Sequence, residues 1–177
     1  MIRSFDWRDV GLVKTLGEQG VCLDSETSLL RGHRPLQNAL FAYLMPVSGA
    51  PTLVWRAKTD AGRAAFGQLG HKLGEEQARV LFIAPPGAEA PEAWPALLEK
   101  LAVEAGERGA LNLLAEVNEA GYEFEALRTA GFAVYARQSL WKLAAGQLLP
   151  ASADSVFLSF SKSSKYFKKR IQDVCST

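Results

Sequence analysis

Residues 80–117, VLFIAPPGAEAPEAWPALLEKLAVEAGERGALNLLAEV, are the most informative part of the sequence about the fold, because their apolar pattern changes twice. The stretch begins and ends with short apolar runs that are typical of buried strands. Between the runs, apolar side chains at spacings of three and four residues predict an amphipathic helix that stops at Gly109. The side chains on the apolar face of this helix are Trp94, Leu97, Leu98, Leu101 and Ala105. A strand, a helix and a strand in this order predict a right-handed crossover, with Val80–Ala84 parallel to Leu111–Val117 or splayed beside it.

The flanking sequence predicts the rest of the sheet and its helices. Upstream, MIRSF is a short opening strand and residues 6–20 form a helix. Residues 24–44 form a helix, for which Asp24 and Ser25 are the capping candidates, then a break and another helix. TLVWRAK, AAFGQLGHKL and ARVLFIAP follow as three successive antiparallel strands separated by turn residues. Downstream, residues 120–131 form a helix, and FAVYARQSLWKL is a long strand or hairpin arm. The predicted fold class is α/β, with a central mixed sheet flanked by helices.

Composition excludes several classes of function. The chain has 177 residues, 48% of them hydrophobic, and a net charge of +1, which disfavours a nucleic-acid-binding surface in the body of the protein. Its two cysteines, Cys22 and Cys175, lie far apart, and its two histidines, His33 and His71, have no ligand spacing. We therefore expect neither a disulfide framework nor a metal site. Without a signal-peptide core or a run near the roughly 18 apolar residues that span a bilayer, the expected location is the cytoplasm.

With its elements in this order, the chain resembles the GNAT superfamily of N-acetyltransferases over residues 1–143. Three stretches carry the resemblance: MIRSFDWRDVGLVKTL at the start, the block at residues 78–117, and EALRTAGFAVYARQSLWKL at residues 125–143. The resemblance implies a fold that binds acetyl-CoA in the splay between two central parallel strands, through backbone around Phe82, Ile83 and Ala84. It also implies a small-molecule or peptide amine as the acetyl acceptor.

The resemblance further implies a turn whose backbone N–H groups hold the CoA pyrophosphate at a helix N-terminus. When the helix is aligned on Leu97 and Leu98, the family's Gln or Arg, Gly, and Gly or Ala positions fall on Glu89, Glu92 and Trp94. Two carboxylates would face the pyrophosphate, and an indole would cover backbone that must stay bare. Two prolines in the turn also lack N–H donors. We therefore expect a turn that connects the strand to the helix but does not bind the pyrophosphate, and a weak or lost affinity for acetyl-CoA.

The catalytic positions that the resemblance implies are also altered. The family's Asn falls on Ala120, and its thiolate-protonating Tyr falls on Leu127, so Tyr122 and Tyr135 are the candidate substitutes. Glu116 and Asn118, at the end of the second central strand, are candidates for a base that faces the acceptor, since ligands gather beyond strand ends in α/β sheets. The alternative for these two residues is a solvated strand end and turn.

Several residues have both a functional and a structural interpretation. Trp55, Trp94 and Trp141 line a ligand cavity in one interpretation, which makes Trp94 a candidate cofactor-binding residue, and belong to the core in the other. Cys22 is expected to be a small buried or half-buried residue rather than a nucleophile. The basic stretch KSSKYFKKR is either a contact for an acidic partner, RNA or lipid, or a solvated or frayed terminus.

The predicted domain organisation is a GNAT-like domain at residues 1–146 and a tail at residues 147–177. The tail differs in composition from the Ala- and Gly-rich body, which is compatible with a truncated or artificially added end. Two functional hypotheses follow. The chain is an acetyl-CoA-dependent N-acetyltransferase with weak or lost activity, or a non-catalytic GNAT-like module that binds a protein partner or a second copy, such as the degenerate half of a tandem protein.

Overall fold

A computed structural model of the chain describes residues 1–30, 32, 34–45, 50–58, 62–140 and 162–170. The helices within these ranges are a 3-10 turn at Trp7–Asp9, α1 (Val10–Leu16), α2 (Ser25–Leu30), α3 (Pro35–Leu44), α4 (Ala93–Glu107) and α5 (Tyr122–Thr129). The strands are β1 (Ile2–Ser4), β2 (Val21–Cys22), β3 (Thr52–Arg56), β4 (Ala64–Gly70), β5 (Gln77–Ala84), β6 (Asn112–Asn118), β7 (Ala133–Leu140) and β8 (Lys162–Arg170). The predicted mixed α/β class is confirmed.

The strands form one twisted sheet in the order β1-β3-β4-β5-β6-β8-β7, and β2 pairs separately with β5. β3, β4 and β5 are antiparallel neighbours, as their sequence predicted. β5 and β6 are parallel, but their pairing covers only Gln77–Arg79 against Asn112–Leu114. Beyond Arg79 the two strands separate, so the crossover is parallel at its start and splayed at its end.

Two cores lie on opposite faces of the sheet, because successive strand residues point in opposite directions. Leu53 and Ile83 pack under α4, whereas their neighbours Val54 and Phe82 pack on the other face with α1 and α3. The predicted apolar face of α4 is confirmed: Trp94, Leu97, Leu98, Leu101 and Ala105 are all fully buried. The result is a helix–sheet–helix sandwich with the splay of β5 and β6 near its centre.

The ends of α4 follow from its sequence. Pro95 lies in the first turn, where a missing N–H removes no intrahelical hydrogen bond. At the other end, Gly109 has φ of 90°, a left-handed conformation that glycine adopts without steric cost. The helix therefore stops where the sequence predicted, and the chain turns directly into β6.

Two features differ from the sequence-based expectations. The pattern did not reveal β2, which is only two residues long. The expectation of a frayed terminus at KSSKYFKKR is wrong, because Lys162–Arg170 is strand β8 between β6 and β7. β6 would otherwise leave a row of unpaired backbone groups at the sheet edge. The predicted boundary at residues 146 and 147, together with His33, Trp141 and Cys175, lies outside the described residues.

Candidate functional site

The gap between the splayed strands is filled by the chain's own segment Val21–Ser25, here called the splay segment. Val21 pairs with Ile83 and Cys22 with Phe82 along the edge of β5 that faces the gap. The Leu23 amide donates to the Leu81 carbonyl oxygen at 3.0 Å, and the Leu23 carbonyl oxygen accepts from the Glu116 amide at 2.8 Å. The backbone of Leu23 therefore joins the two strands where they no longer pair with each other.

Glycine permits this close approach of the splay segment to β5. A Cβ atom on Gly20 would lie 2.1 Å from Cζ of Phe82 and 2.8 Å from Cβ of Ala84. No side chain fits at these distances, so the residue that precedes β2 must be bare. Three residues on, the Leu23 side chain is 1% exposed and joins the core under α4.

Charged groups from both strands hold the splay segment. Arg79 of β5 donates from Nη1 to Oδ1 of Asp24 at 3.0 Å. Glu116 of β6 accepts the Ser25 amide proton at Oε2, at 3.2 Å. Asp24 also accepts from the Thr27 amide at 3.1 Å, so it is the N-cap of α2 that its position in the sequence predicted.

Burial determines the titration of the groups in the splay. Glu116 is 6% exposed, and this burial raises the pKa of its carboxyl above the ordinary value, although hydrogen bonds from Ser25 oppose the shift. Burial likewise raises the pKa of Cys22 to about 11, and its Sγ donates to the Asp24 carbonyl oxygen at 3.0 Å. Cys22 is therefore a neutral thiol at pH 7 and lacks the thiolate that a nucleophilic cysteine needs.

The turn between β5 and α4 is closed by aromatic rings. Trp94 is fully buried, and its Nε1 donates to the Pro85 carbonyl oxygen at 3.0 Å. A Cβ on Gly87 would lie 2.7 Å from Cδ1 of Tyr122 and 3.5 Å from Cε2 of Trp94, so Gly87 packs against both rings. Outside the rings, Arg63 pairs with Glu92 at 3.1 Å.

The four candidate catalytic residues lie in different surroundings. Glu116 is buried against the splay segment, and Asn118, the exposed last residue of β6, accepts the Ala120 amide proton at 3.2 Å in the following turn. Tyr122 is 49% exposed at the start of α5, with its ring over Gly87. Tyr135 is 65% exposed at a bulge of β7. Because β8 lies between β7 and β6, Tyr135 is two strands, or about 10 Å, from the strand of Glu116.

The candidate cofactor-binding residues form part of the two cores. Phe82, Ile83 and Ala84 are buried, and the Phe82 ring stacks on Phe66 with centroids 5.7 Å apart. In the arrangement that the resemblance implies, the pantetheine arm of acetyl-CoA would use the β5 edge that β2 occupies. The pyrophosphate would lie at the turn that Trp94 and Tyr122 enclose. In this conformation the residues present do not fit acetyl-CoA.

No group of three or more His, Cys, Asp or Glu side chains across the described ranges is placed to hold a metal ion. A half-open cavity of about 210 Å³ lies away from the splay, and its lining includes Phe5, Tyr43 and Glu104. Within the same ranges, every helix is too short or too polar to cross a lipid bilayer.

Sequence reasoning missed Arg79 and the role of the residues it contacts. Asp24 and Ser25 appeared only as candidates for a helix cap, and Arg79 stands in an otherwise apolar strand. A lone arginine in a run of apolar strand residues is the signal that indicates a charged partner, because a half-buried charge is usually paired. Its partner lies 55 residues away along the chain, which the local pattern cannot reveal.

Structural comparison identifies the fold. The chain superposes on a chimera of the spermidine N-acetyltransferase SpeG from Vibrio cholerae with hSSAT, with a TM-score of 0.66, 8% identity, and 99% of each chain covered. It also matches the ribosomal-protein-alanine N-acetyltransferase from Brucella melitensis, with a TM-score of 0.61, 14% identity, 96% of this chain and 99% of that chain. A third match is a GNAT superfamily phosphinothricin acetyltransferase from Sinorhizobium meliloti in complex with acetyl-CoA. The TM-score is 0.58 and the sequence identity is 13%, and the superposition covers 96% of this chain and 87% of that chain.

Sequence comparison finds no such relationship. No family model matches the chain, and no curated protein sequence matches it. The likeness therefore lies in the fold, which is that of the GNAT N-acetyltransferases, as the order of elements predicted.

Proposed function

We propose that this GNAT-fold protein is a non-catalytic binding module whose acyl-CoA site is closed by its own chain. One observation carries the proposal: Leu23 is hydrogen-bonded to both splayed strands, at 3.0 Å to β5 and 2.8 Å to β6. A pantetheine arm in the splay would have to replace these bonds and remove a buried leucine from the core. Its binding free energy would have to exceed the cost of both changes.

The turn before α4 supports the same proposal independently. Trp94 and Tyr122 pack against Gly87, and Glu89 and Glu92 are exposed. A doubly charged pyrophosphate would meet the Glu89 carboxylate and the Arg63–Glu92 ion pair there, and the Glu89 and Ala90 amides already donate to the Pro86 carbonyl oxygen. The pantetheine and pyrophosphate parts of the ligand site are thus both filled by the chain itself, while the core of the fold is intact. This is expected when a fold is retained after its activity is lost.

Calorimetry with acetyl-CoA and with CoA tests the proposal, together with thermal unfolding at the same ligand concentrations. We expect no heat of binding at millimolar ligand and no rise in Tm, because a ligand that binds the native state must stabilise it. Micromolar binding would overturn the proposal. Size-exclusion chromatography over a range of protein concentrations then measures the oligomeric state, which shows whether a second copy of the chain is the bound partner.

The second candidate function is acetyl-CoA-dependent N-acetyl transfer to an unidentified small-molecule or peptide amine. It is favoured by the likeness, over 96% of this chain, to an acetyltransferase that was solved in complex with acetyl-CoA. The side chains available for proton transfer in this candidate are Glu116, Tyr122 and Tyr135, and the Asn118 amide is available to hydrogen-bond to the acceptor. Phe82, Ile83, Ala84 and Trp94 are the residues nearest the cofactor.

An acetyl-transfer assay separates the two candidates. Release of free thiol from acetyl-CoA is measured with a polyamine, an amino acid and a peptide N-terminus as acceptors, each against a reaction without acceptor. The binding module predicts no difference between these reactions. Acceptor-dependent release that falls in a Glu116→Gln variant would support transfer and refute the module.

A further inference from the structure

The splay segment is attached to the sheet by few hydrogen bonds, and only its C-terminal end, at Asp24 and Ser25, is held by charged groups. Direct strand pairing covers only Val21 and Cys22. Beyond them, the Leu23 backbone bonds to both strands, Arg79 binds the Asp24 carboxylate, and Glu116 binds the Ser25 amide. Arg79 and Glu116 stand on the two strands that separate, so each strand contributes one charged group to the same segment.

We propose that Arg79 and Glu116 form a latch that keeps the splay segment in the gap, and that the segment opens as a unit when the Arg79–Asp24 ion pair is broken. The inference rests on the proposed function, because it states how the closed site is held and released. Arg79 and Glu116 are positioning residues in this role, since they act on the segment and not on a ligand.

The burial of the charges favours opening once the pair is lost. Asp24 has a side chain only 4% exposed, whereas that of Arg79 is 41% exposed and within reach of water. Without Arg79, the Asp24 carboxylate keeps only the Thr27 donors and pays the cost of an underpaired buried charge. Glu116 is also buried, and it regains hydration when the segment leaves.

Apolar contacts favour the closed state. The Leu23 side chain is buried in the core, and Gly20 lies against the Phe82 ring. Two kinds of contact therefore stabilise the closed position of the segment. The apolar contacts do not depend on Arg79, whereas the ion pair with Asp24 does. Removal of the ionic contribution alone should shift the population toward the open state without unfolding the sheet.

Amide hydrogen exchange followed by NMR on the full chain tests the latch. In an Arg79→Gln variant, the amides of Leu23, Ser25 and Glu116 should exchange at least tenfold faster than in the wild type. The amide of Val54, in the centre of β3, should be unchanged. Arg79→Lys keeps the positive charge and should restore most of the protection.

Arg137→Gln is the matched control, because it breaks a 2.9 Å ion pair with Glu119 outside the splay. It should leave the three amides of the splay at the wild-type rate. The latch is refuted if these amides exchange only through global unfolding in both the wild type and Arg79→Gln. Independent exchange of the three amides would also refute it, because the segment would then not open as a unit.

Acetyl-CoA binding to Arg79→Gln separates this inference from the proposed function. Faster exchange with no binding supports the latch and leaves the turn at Trp94 as a second closure of the site. Faster exchange with new micromolar binding supports the latch and identifies the splay segment as the principal obstacle. Micromolar binding to the wild type at unchanged exchange would refute both, because the ligand would then bind without opening the segment.

Discussion

Asp9 is a fully buried carboxylate that ties the first strand to the start of the first helix. It accepts from both terminal nitrogens of Arg3, at 2.7 and 2.8 Å, from Arg56 at 3.2 Å, and from the Asp6 amide at 3.0 Å. Burial by itself raises the pKa of Asp9, but the hydrogen bonds from Arg3, Asp6 and Arg56 outweigh it, so the pKa lies below the ordinary value. The charged form is the one that stabilises the fold.

Asp9→Asn should lower the free energy of unfolding by about 2 kcal/mol at pH 7, since hydrogen bonds to a charged group each contribute about 1.5–3 kcal/mol. Urea denaturation measures the change. Glu125→Gln is the control, because Glu125 pairs with Arg128 at 4.0 Å on the surface, and exposed pairs contribute little. Equal effects of the two substitutions would contradict the role of Asp9.

The same substitution predicts a pH dependence. The pKa of Asp9 is lower in the folded state than in the unfolded state, so its contribution is complete above the unfolded value of about 3.9 and is lost as the pH falls through the folded value. The stability difference between the wild type and Asp9→Asn should therefore be constant above about pH 5 and shrink toward acid. A difference that grows toward acid would show that the pKa is shifted in the opposite direction.

Glu116 should show the opposite pH dependence. Burial raises the pKa of Glu116 in the folded state, so the wild type loses stability as the pH rises from the unfolded value of about 4.3 through the folded value. Glu116→Gln has no such titration, and its stability relative to the wild type should improve between pH 4 and pH 7. Urea denaturation at both pH values checks this, and a constant difference would count against the shift.

At the scale of elements, the pairing of β2 with β5 requires a residue without a side chain, Gly20, immediately before β2. Gly20→Ala would place a methyl group within 2.1 Å of the Phe82 ring, so either the ring or the splay segment must move. We expect a loss of about 1–3 kcal/mol in the free energy of unfolding, as for other overpacked sites, together with faster exchange of the Leu23 amide. Denaturation and hydrogen exchange measure the two effects.

Gly11→Ala is the matched control within the described part of the chain. Gly11 lies in α1, and a Cβ there would have no atom within 4 Å. Alanine should stabilise this helix by up to about 1 kcal/mol, because glycine is the poorer helix former. If both alanine variants had the same effect, close packing of β2 on β5 would not be the cause.

At the scale of the whole molecule, β8 completes the sheet. It pairs with all of β6, from Asn112 to Asn118, and with β7 on its other side. A chain that ends at residue 146 should therefore lose cooperative unfolding and associate, because the β6 edge would be left without a partner. A chain that ends at residue 170 keeps β8 and should unfold cooperatively.

Circular dichroism during urea denaturation and size-exclusion chromatography follow both shortened chains. This experiment also tests the predicted division at residues 146 and 147. A stable, monomeric chain of residues 1–146 would support a separate tail and contradict the role of β8 in the fold.

The residue pattern alone was enough to predict the order of elements apart from β2 and β8, the buried face of α4 and the crossover to β6. In a long helix or strand, apolar residues recur in the sequence at a regular spacing, because each buried position is apolar and the spacing follows the geometry of the element. Trp94, Leu97 and Leu101 repeat often enough to identify the helix and the face it buries. The unusual turn at Glu89–Trp94 was also evident from residue types alone.

What fills the splay and where the basic stretch lies depend on contacts between residues that are distant along the chain. β2 has two residues and thus no period, and the partners Ser25 and Glu116 are 91 residues apart along the chain. The surroundings of Glu116 depend on that distant contact, so the sequence could place it at a strand end but could not show it to be buried. The position of KSSKYFKKR also depends on distant parts of the chain. Its backbone pairs with β6 and β7, which would otherwise have unpaired N–H and C=O groups, and this pairing forms a strand despite the polar composition of the stretch.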